Sequence, residues 1–279
     1  MNKMFQLLKL IRFPNLAIIA LTQLMVALFL IEDNTFSDIL KDFELHLLIM
    51  STLFIASAGY LINDYYDIKI DYVNKPGRVV IGKHIKRRQV LIIHFIFNFS
   101  GIILGAAVSW WIMGINILAA FLLWLYSNML KRLPLWGNIT VSLLTGFSVF
   151  IIYLFYAKNI ELITMYAVFA FLISLIREIV KDLEDIEGDE KFGCKTLPII
   201  IGSSATKKFI YAINIIFLLV VLIVTNDSAI FLPYFLTLLV VLSFLCTRIY
   251  FADKKNDFLQ ISRLAKLIMV LGIFRMILI

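Results

Sequence analysis

Charge is scarce in this chain. Only 16% of its residues are Asp, Glu, Lys or Arg, against about 25% in an ordinary soluble domain, while 62% are hydrophobic. Mean hydropathy is +0.95. One globule of 279 residues cannot hide that much apolar surface, so lipid must solvate much of it. Cysteine is nearly absent. Cys194 and Cys246 stand far apart without metal-type spacing, which excludes a disulfide framework and a zinc site. Histidine is as sparse, and His46, His84 and His94 are isolated, as surface or packing residues are. Acidic residues are the minority, giving a net charge of +7, but the basic ones are scattered among short connectors. Membrane proteins place them so, and nucleic acid is not an expected partner. No small-residue cleavage site follows the first apolar run, so that run reads as a retained helix, not a signal peptide. Strict apolar–polar alternation is missing too, which excludes a membrane β-barrel.

What the chain does have is continuous apolar runs. Spans of roughly 17–25 residues cross a bilayer as helices. They occur at 15–31, 45–63, 89–109, 112–130, 136–156, 161–180, 208–225, 229–247 and 262–278. The fold expected is therefore an all-α membrane protein, a bundle of about nine transmembrane helices forming one domain over residues 1–279. Trp110 and Trp111, between the third and fourth runs, suit an interfacial aromatic belt.

Charge then orients the bundle. Alternate connectors hold 23 of the Lys and Arg residues, and the others hold only Lys41, Lys158 and Arg275. The first of the poor connectors is acidic, with Glu32, Asp33, Asp38, Asp42 and Glu44. By the positive-inside rule the N-terminus is cytoplasmic and the C-terminus lies outside, which requires an odd number of spans. The expected location is the cell membrane, multi-pass, with the functional face toward the cytoplasm. Two cytoplasmic connectors are long, 64–88 and 181–207, and function is expected there.

Both open on the same pattern. Asn63-Asp64-Tyr65-Tyr66-Asp67-Ile68-Lys69-Ile70-Asp71 and Lys181-Asp182-Leu183-Glu184-Asp185-Ile186-Glu187-Gly188-Asp189 each read D-x-x-D-x-x-x-D. At about 100° per residue, Asp64, Asp67 and Asp71 fall within roughly 60° of one helix face, if the helix continues. In the second copy Gly188 is a point where the helix could end, leaving Asp189 on a loop. Two carboxylates about 4 Å apart repel by roughly 4 kcal/mol at an effective dielectric of 20, so a cation is the natural remedy. Hard oxygen ligands in this number suit Mg²⁺, completed by water and substrate phosphates. Two Asp-rich cytoplasmic loops capping a central cavity would hold metal ions on both sides of a diphosphate. One acidic run is ordinarily a solvated helix end, but two copies with identical spacing are not. The twelve-residue ligand pattern of an EF-hand and its closing glutamate are missing.

Basic residues follow each cluster. Asn74-Lys75-Pro76-Gly77-Arg78 makes a turn, and Lys75, Arg78 and Lys83 are candidates for phosphate oxygens. Arg177 lies eight residues before Asp185 on a similar face, where it can meet Glu178, the cluster or substrate.

Taken together, Asn63-Asp64-x-x-Asp67-x-x-x-Asp71, Asn74-Lys75-Pro76-x-Arg78 and Asp182-x-x-Asp185-x-x-x-Asp189 resemble the UbiA superfamily of intramembrane prenyltransferases. Tyr126-Ser127 with Lys131-Arg132-x-Pro134-Leu135-x-Gly137-Asn138 is similar to that family's connector between its fourth and fifth helices. The resemblance covers nearly the whole chain. Arg177-Glu178-x-x-Lys181-Asp182-x-Glu184-Asp185, with Lys195-Thr196-Leu197-Pro198 beyond it, is most similar to the branch that builds ether lipids. One departure stands out: Val79 follows Arg78, and Gly82 comes four residues after that arginine, where a glycine at the fifth is frequent.

The resemblance implies Mg²⁺-dependent transfer of a prenyl group, geranylgeranyl in that branch, from an allylic diphosphate to a lipophilic acceptor in the bilayer. The acceptor in that branch is the free hydroxyl of geranylgeranylglyceryl phosphate; an aromatic ring of quinone biosynthesis is the alternative. Metal falls to Asp64, Asp67, Asp71, Asp182, Asp185 and Asp189, and catalysis to Asn63, Asp67, Asp71 and Asp185. Phosphate contacts fall to Asn63, Lys75, Arg78, Lys83, Lys131, Arg177, Lys181 and Lys195. Tyr65, Tyr66, Trp124, Tyr126 and Tyr153 are candidates for the wall around the prenyl chain and its cation. No obligatory protein partner is implied. A transporter would place its carboxylates at the bilayer midplane on broken helices, whereas these sit at helix ends. The Asp-Gly opening and Ala-Arg pair of CDP-alcohol phosphotransferases are missing.

Overall fold

The structure, a computed structural model, describes residues 3–31, 34–225 and 231–278. Every regular element among them is helical. In chain order the helices are α1 (Lys3–Leu10), α2 (Phe13–Phe29), α3 (Phe36–Lys41), α4 (Phe43–Asn74), α5 (Arg87–Val108) and α6 (Trp110–Asn128). There follow α7 (Trp136–Tyr156), α8 (Ile160–Lys191), α9 (Leu197–Thr225), α10 (Phe231–Tyr250) and α11 (Lys255–Arg275). An isolated bridge between Ile81 and Ile85 closes a turn at Gly82, whose φ of +86° suits glycine.

Polar side chains set several of the ends. Thr35 and Asp38 form a reciprocal capping box on α3, and the Asp42 carboxylate accepts from the Leu45 amide at 2.9 Å. Ser109 breaks the long apolar run, its Oγ accepting from the Ile112 amide at 3.2 Å. The break leaves Trp110 and Trp111 79% and 86% exposed, as residues of an interfacial belt should be.

Among the described residues six helices are long and apolar enough to cross a membrane: α4, α5, α6, α7, α8 and α9. The bent pair α1–α2, which turns by 61°, makes a seventh if it counts as one span. The expectation of nine thus exceeds what passes by length and composition. In α10 the qualifying stretch, Phe235–Tyr250, is short, and α11 carries Lys255, Asp257, Arg263, Lys266 and Arg275. Glu32 and Asp33 of the acidic connector, and the junction of the seventh and eighth expected spans at 226–230, lie outside the described residues.

The chain divides into two compact units, residues 1–28 with 33–131 and residues 29–32 with 132–279. Each is organised around one 32-residue helix, α4 in the first and α8 in the second. In these two, 56% and 72% of the apolar stretch is buried, against 17–33% in the other candidate spans, so they are the central helices of their units. In the first unit α4 packs against α5 and α6. There Asn116 Nδ2, 3% exposed, donates to the Gly101 carbonyl at 3.0 Å, tying α6 to α5. In the second, α8 packs against α7, α9 and α11, with Phe169 edge-on to Phe217 at 5.1 Å. Gly146 of α7 lies so near the α8 backbone that a Cβ there would stand 2.7 Å from the Ala167 carbonyl oxygen.

One expectation needs correction. The aspartate clusters are not on loops, because α4 continues to Asn74 and α8 runs unbroken through Gly188 to Lys191. A 32-residue helix is about 48 Å long, well beyond a hydrocarbon core of about 30 Å, so each ends in some three turns outside it. The connectors are correspondingly short, 75–86 and 192–196.

Candidate active site

The last turns of α4 carry Asn63, Asp64, Asp67 and Asp71, so helical geometry itself sets the three carboxylates on one face. Two of them have counter-ions from elsewhere in the same unit. Arg12 Nη2 donates to Asp64 Oδ1 at 2.9 Å, and Lys131 Nζ to Asp67 Oδ1 at 2.5 Å. Arg12 reaches Asp64 because the chain breaks between α1 and α2, where Arg12 adopts a left-handed φ of +52°. Its guanidinium also lies 4.9 Å from the centre of the Tyr60 ring. Lys131 comes from the short 3₁₀ turn Leu130–Arg132 after α6, and its side chain is only 10% exposed. Beside them the amide oxygen of Asn63 is buried and accepts no hydrogen bond.

The second cluster lies on the last turns of α8. Asn138 Nδ2, from the first turn of α7, donates to Asp182 Oδ2 at 2.8 Å. One turn earlier Glu178 is buried and bound by two cations, Arg177 at 2.7 Å and Lys181 at 2.8 Å. Of the alternatives open to Arg177, the structure realises the pair with Glu178. Asp189 is held on the helix, and its carbonyl accepts from the Cys194 amide at 2.9 Å as the chain turns toward α9.

Other expected residues are distributed as follows. Lys75 caps α4, its amide donating to the Asp71 carbonyl at 2.8 Å, and Lys83 Nζ lies 3.4 Å from the Pro76 carbonyl and 5.1 Å from the Tyr72 ring centre. The Arg78 side chain lies outside the described atoms. Exposed Lys195 is anchored through its amide to the Arg132 carbonyl at 2.8 Å. Tyr65 and Tyr66 meet edge to face at 5.7 Å, and the Arg87 guanidinium already lies 4.8 Å from the Tyr65 ring centre. Trp124 is 40% exposed beside Phe121, and Tyr126 is within electrostatic reach of Arg12. Tyr153, in the second unit, packs on Phe150 at 5.3 Å.

Three participants escaped the sequence reading. Arg12 is not singled out there, Asn138 enters only as part of the connector resemblance, and Glu178 only as one of the partners open to Arg177. The usable signal for Glu178 was an acid bracketed by Arg177 and Lys181 inside an apolar helix. Nothing local announces that Arg12 reaches a residue 52 positions away.

Do these groups suit a metal ion? Among the described residues no three His, Cys, Asp or Glu side chains come together in a cage that could hold a metal ion. A closed cage is not what Mg²⁺ requires, since it usually keeps several waters and binds through one or two carboxylates plus substrate phosphates. Hard oxygen donors in a row, with the Asn63 amide oxygen buried and unengaged beside them, fit that mode.

The UbiA prenyltransferase family matches residues 20–270, and the chain belongs to that family. Digeranylgeranylglyceryl phosphate synthase of Pyrococcus horikoshii is 38% identical over 159 residues, 57% of each chain. The protein of the same name from Methanosarcina mazei is 33% identical over 206 residues, 73% of this chain and 68% of that one. The first such relatives are matched over little more than half their length. Among solved structures, a digeranylgeranylglyceryl phosphate synthase in membranes is 27% identical with a TM-score of 0.65, covering 100% of this chain and 98% of that one. A UbiA homologue from Archaeoglobus fulgidus, bound to GPP and Mg²⁺, shares the fold with a TM-score of 0.71 at 18% identity, covering 98% of this chain and 100% of that one.

Proposed function

We propose that this protein transfers a geranylgeranyl group from its diphosphate to the free hydroxyl of geranylgeranylglyceryl phosphate, forming an ether lipid, with Mg²⁺ required. The observation that carries the reading is the repeated D-x-x-D-x-x-x-D on the extended ends of α4 and α8, in a chain whose relatives at 33–41% identity are digeranylgeranylglyceryl phosphate synthases. Diphosphate leaves readily only once its charge is neutralised, which is the chemistry a divalent cation supplies when bound.

In this proposal Asp64, Asp67, Asp71, Asp182, Asp185 and Asp189 provide the metal-holding oxygens, and Asn63 adds its amide oxygen. Arg12 and Lys131, the counter-ions of Asp64 and Asp67, give up those carboxylates as the site loads and turn to diphosphate oxygens. Lys75, Arg78, Lys83 and Lys195 add positive charge for the phosphates. Arg177 and Lys181 act through Glu178, fixing the α8 turn on which Asp182 follows. Tyr65, Tyr66, Trp124, Tyr126 and Tyr153 remain the aromatic residues proposed for the prenyl chain and its allylic cation. The protein works as a multi-pass protein of the cell membrane with this chemistry on the cytoplasmic side.

The test uses purified full-length protein, radiolabelled geranylgeranyl diphosphate, Mg²⁺, and either geranylgeranylglyceryl phosphate or a panel of aromatic acids. A labelled diether that disappears in EDTA and returns with Mg²⁺ is the expected outcome. Transfer to an aromatic acid alone would move the enzyme to quinone-type chemistry. Transfer to neither, from a folded sample, would overturn the reading.

A further inference from the structure

Away from the aspartate-bearing turns, α9 and α10 border an open groove of about 430 Å³ within the second unit, a size found among small-molecule sites. It is graded in polarity. Tyr211 and Tyr250 line the end where both helices carry basic residues, and Leu218 and Leu242 line the part further along the helices. Between them Asn214 is 3% exposed. Its Nδ2 donates to the Ile210 carbonyl at 2.9 Å, whereas its Oδ1 and the Tyr211 hydroxyl are buried without a hydrogen-bond partner. A buried acceptor without a donor is costly, above all where no water can reach it, and the hydroxyl of a ligand would satisfy it.

The neighbourhood indicates what that ligand is. Lys207 Nζ stands at the tyrosine end, 3.4 Å from the Tyr250 carbonyl and 3.2 Å from Asp253 Oδ1. Lys208 is exposed beside it, whereas exposed Arg248 turns toward α11, where it hydrogen-bonds Gln260 at 2.9 Å. Beside the groove Ile215 and Leu219 of the candidate span α9, and Val240 of the shorter apolar helix α10, are exposed apolar residues, which makes the bilayer the source of its occupant. From the tyrosine end inward the order is cations, then an acceptor awaiting a hydroxyl, then an apolar slot. An amphiphile that matches carries a phosphate, a free hydroxyl next to it and one hydrocarbon chain. A diacyl lipid has no hydroxyl to give and a second chain to place.

We propose that the groove between α9 and α10 is a binding site for a single-chain glycerol phosphate lipid. Its phosphate lies toward Lys207 and Lys208, its free hydroxyl donates to Asn214 Oδ1, and its chain runs along Leu218 and Leu242. The site stands on the groove alone and does not depend on which acceptor the enzyme uses.

Native mass spectrometry of the full-length protein in phosphatidylcholine nanodiscs tests this, with oleoyl lysophosphatidic acid or dioleoyl phosphatidic acid added. One lysophosphatidic acid per chain is expected, with phosphatidic acid held about fivefold more weakly, the equivalent of one hydrogen bond. Asn214→Leu should abolish the preference while keeping the elution profile of the unaltered protein. Ser243→Phe, which fills the groove from its rim, should abolish binding of both. Equal retention of the two lipids by the unaltered protein, or an unchanged preference in either folded variant, overturns the proposal.

Discussion

At the residue scale, the telling pairs are those that join an aspartate to a distant side chain. Asn138 fixes one oxygen of Asp182, a metal ligand in the proposed function, and groups that orient metal-binding carboxylates typically contribute about 10–100-fold to metal affinity. Asn138→Ala should therefore raise the Mg²⁺ concentration for half-maximal transfer by about tenfold or more, with the maximal rate largely recovered at saturating metal. A Mg²⁺ titration of the rate checks this, and an unchanged midpoint would reduce Asn138 to packing. Arg12 makes the contrasting case. Its charge-assisted bond is worth about 1.5–3 kcal/mol if it is carried over to the diphosphate, so Arg12→Ala should lower kcat/KM by about 10–100-fold. Arg12→Lys should recover part of that, and an increase in rate would show that the Asp64 pair merely obstructs the metal.

The element scale is where the sequence was most and least informative. Apolar runs placed the central helices well, because lipid demands a long stretch without charge. Their ends were misplaced, because charged turns beyond the bilayer still form helix: Asp64 to Asn74 and Asp182 to Lys191 keep their backbone bonds whether or not lipid surrounds them. Glycine misled too. Gly188 looks like a stop, yet it stays helical, and Gly193, past the end of α8, takes the left-handed φ that stops favour. The identical aspartate spacing was legible because it needs no tertiary knowledge, whereas the Arg12 and Asn138 contacts need the packed units. Packing also yields a prediction that sequence could not. Gly146→Ala places a Cβ 2.7 Å from the Ala167 carbonyl and must push α7 off α8, at a cost of about 1–3 kcal/mol. Thermal unfolding in detergent should show a lowered midpoint, while Gly77→Ala, in open space, should not.

For the whole molecule, the charge pattern and the helices ask for different counts. The positive-inside distribution requires an odd number of crossings, and the described helices supply six by length and composition, or seven with the bent α1–α2 pair. Seven with α10 and α11 excluded, and nine with both included, satisfy the parity equally. On either count the charge pattern places the two termini on opposite sides of the membrane as an expectation. Fusions that report cytoplasmic or external location should therefore give opposite signals at residues 1 and 279 of the full chain. Matching signals would mean that one apolar helix lies along the membrane instead of across it.

The continuity of α4 and α8 past the bilayer has a further consequence, for how such a chain can change length. A loop absorbs an added residue by bulging, but a rigid rod transmits it. One residue inserted into α4 before Asp64 would turn all three carboxylates by about 100° and carry them about 1.5 Å along the axis. The same insertion after Asn74, in the short connector, would leave their bearing untouched. An alanine-insertion series read by Mg²⁺-dependent transfer should show abrupt loss upstream of residue 64 and tolerance after residue 74. Equal tolerance on both sides would mean that the aspartates take their aim from somewhere other than the helix. Descendants of this sequence are in that sense free to vary the length of their connectors but held to a fixed residue count between the apolar stretch and the aspartates.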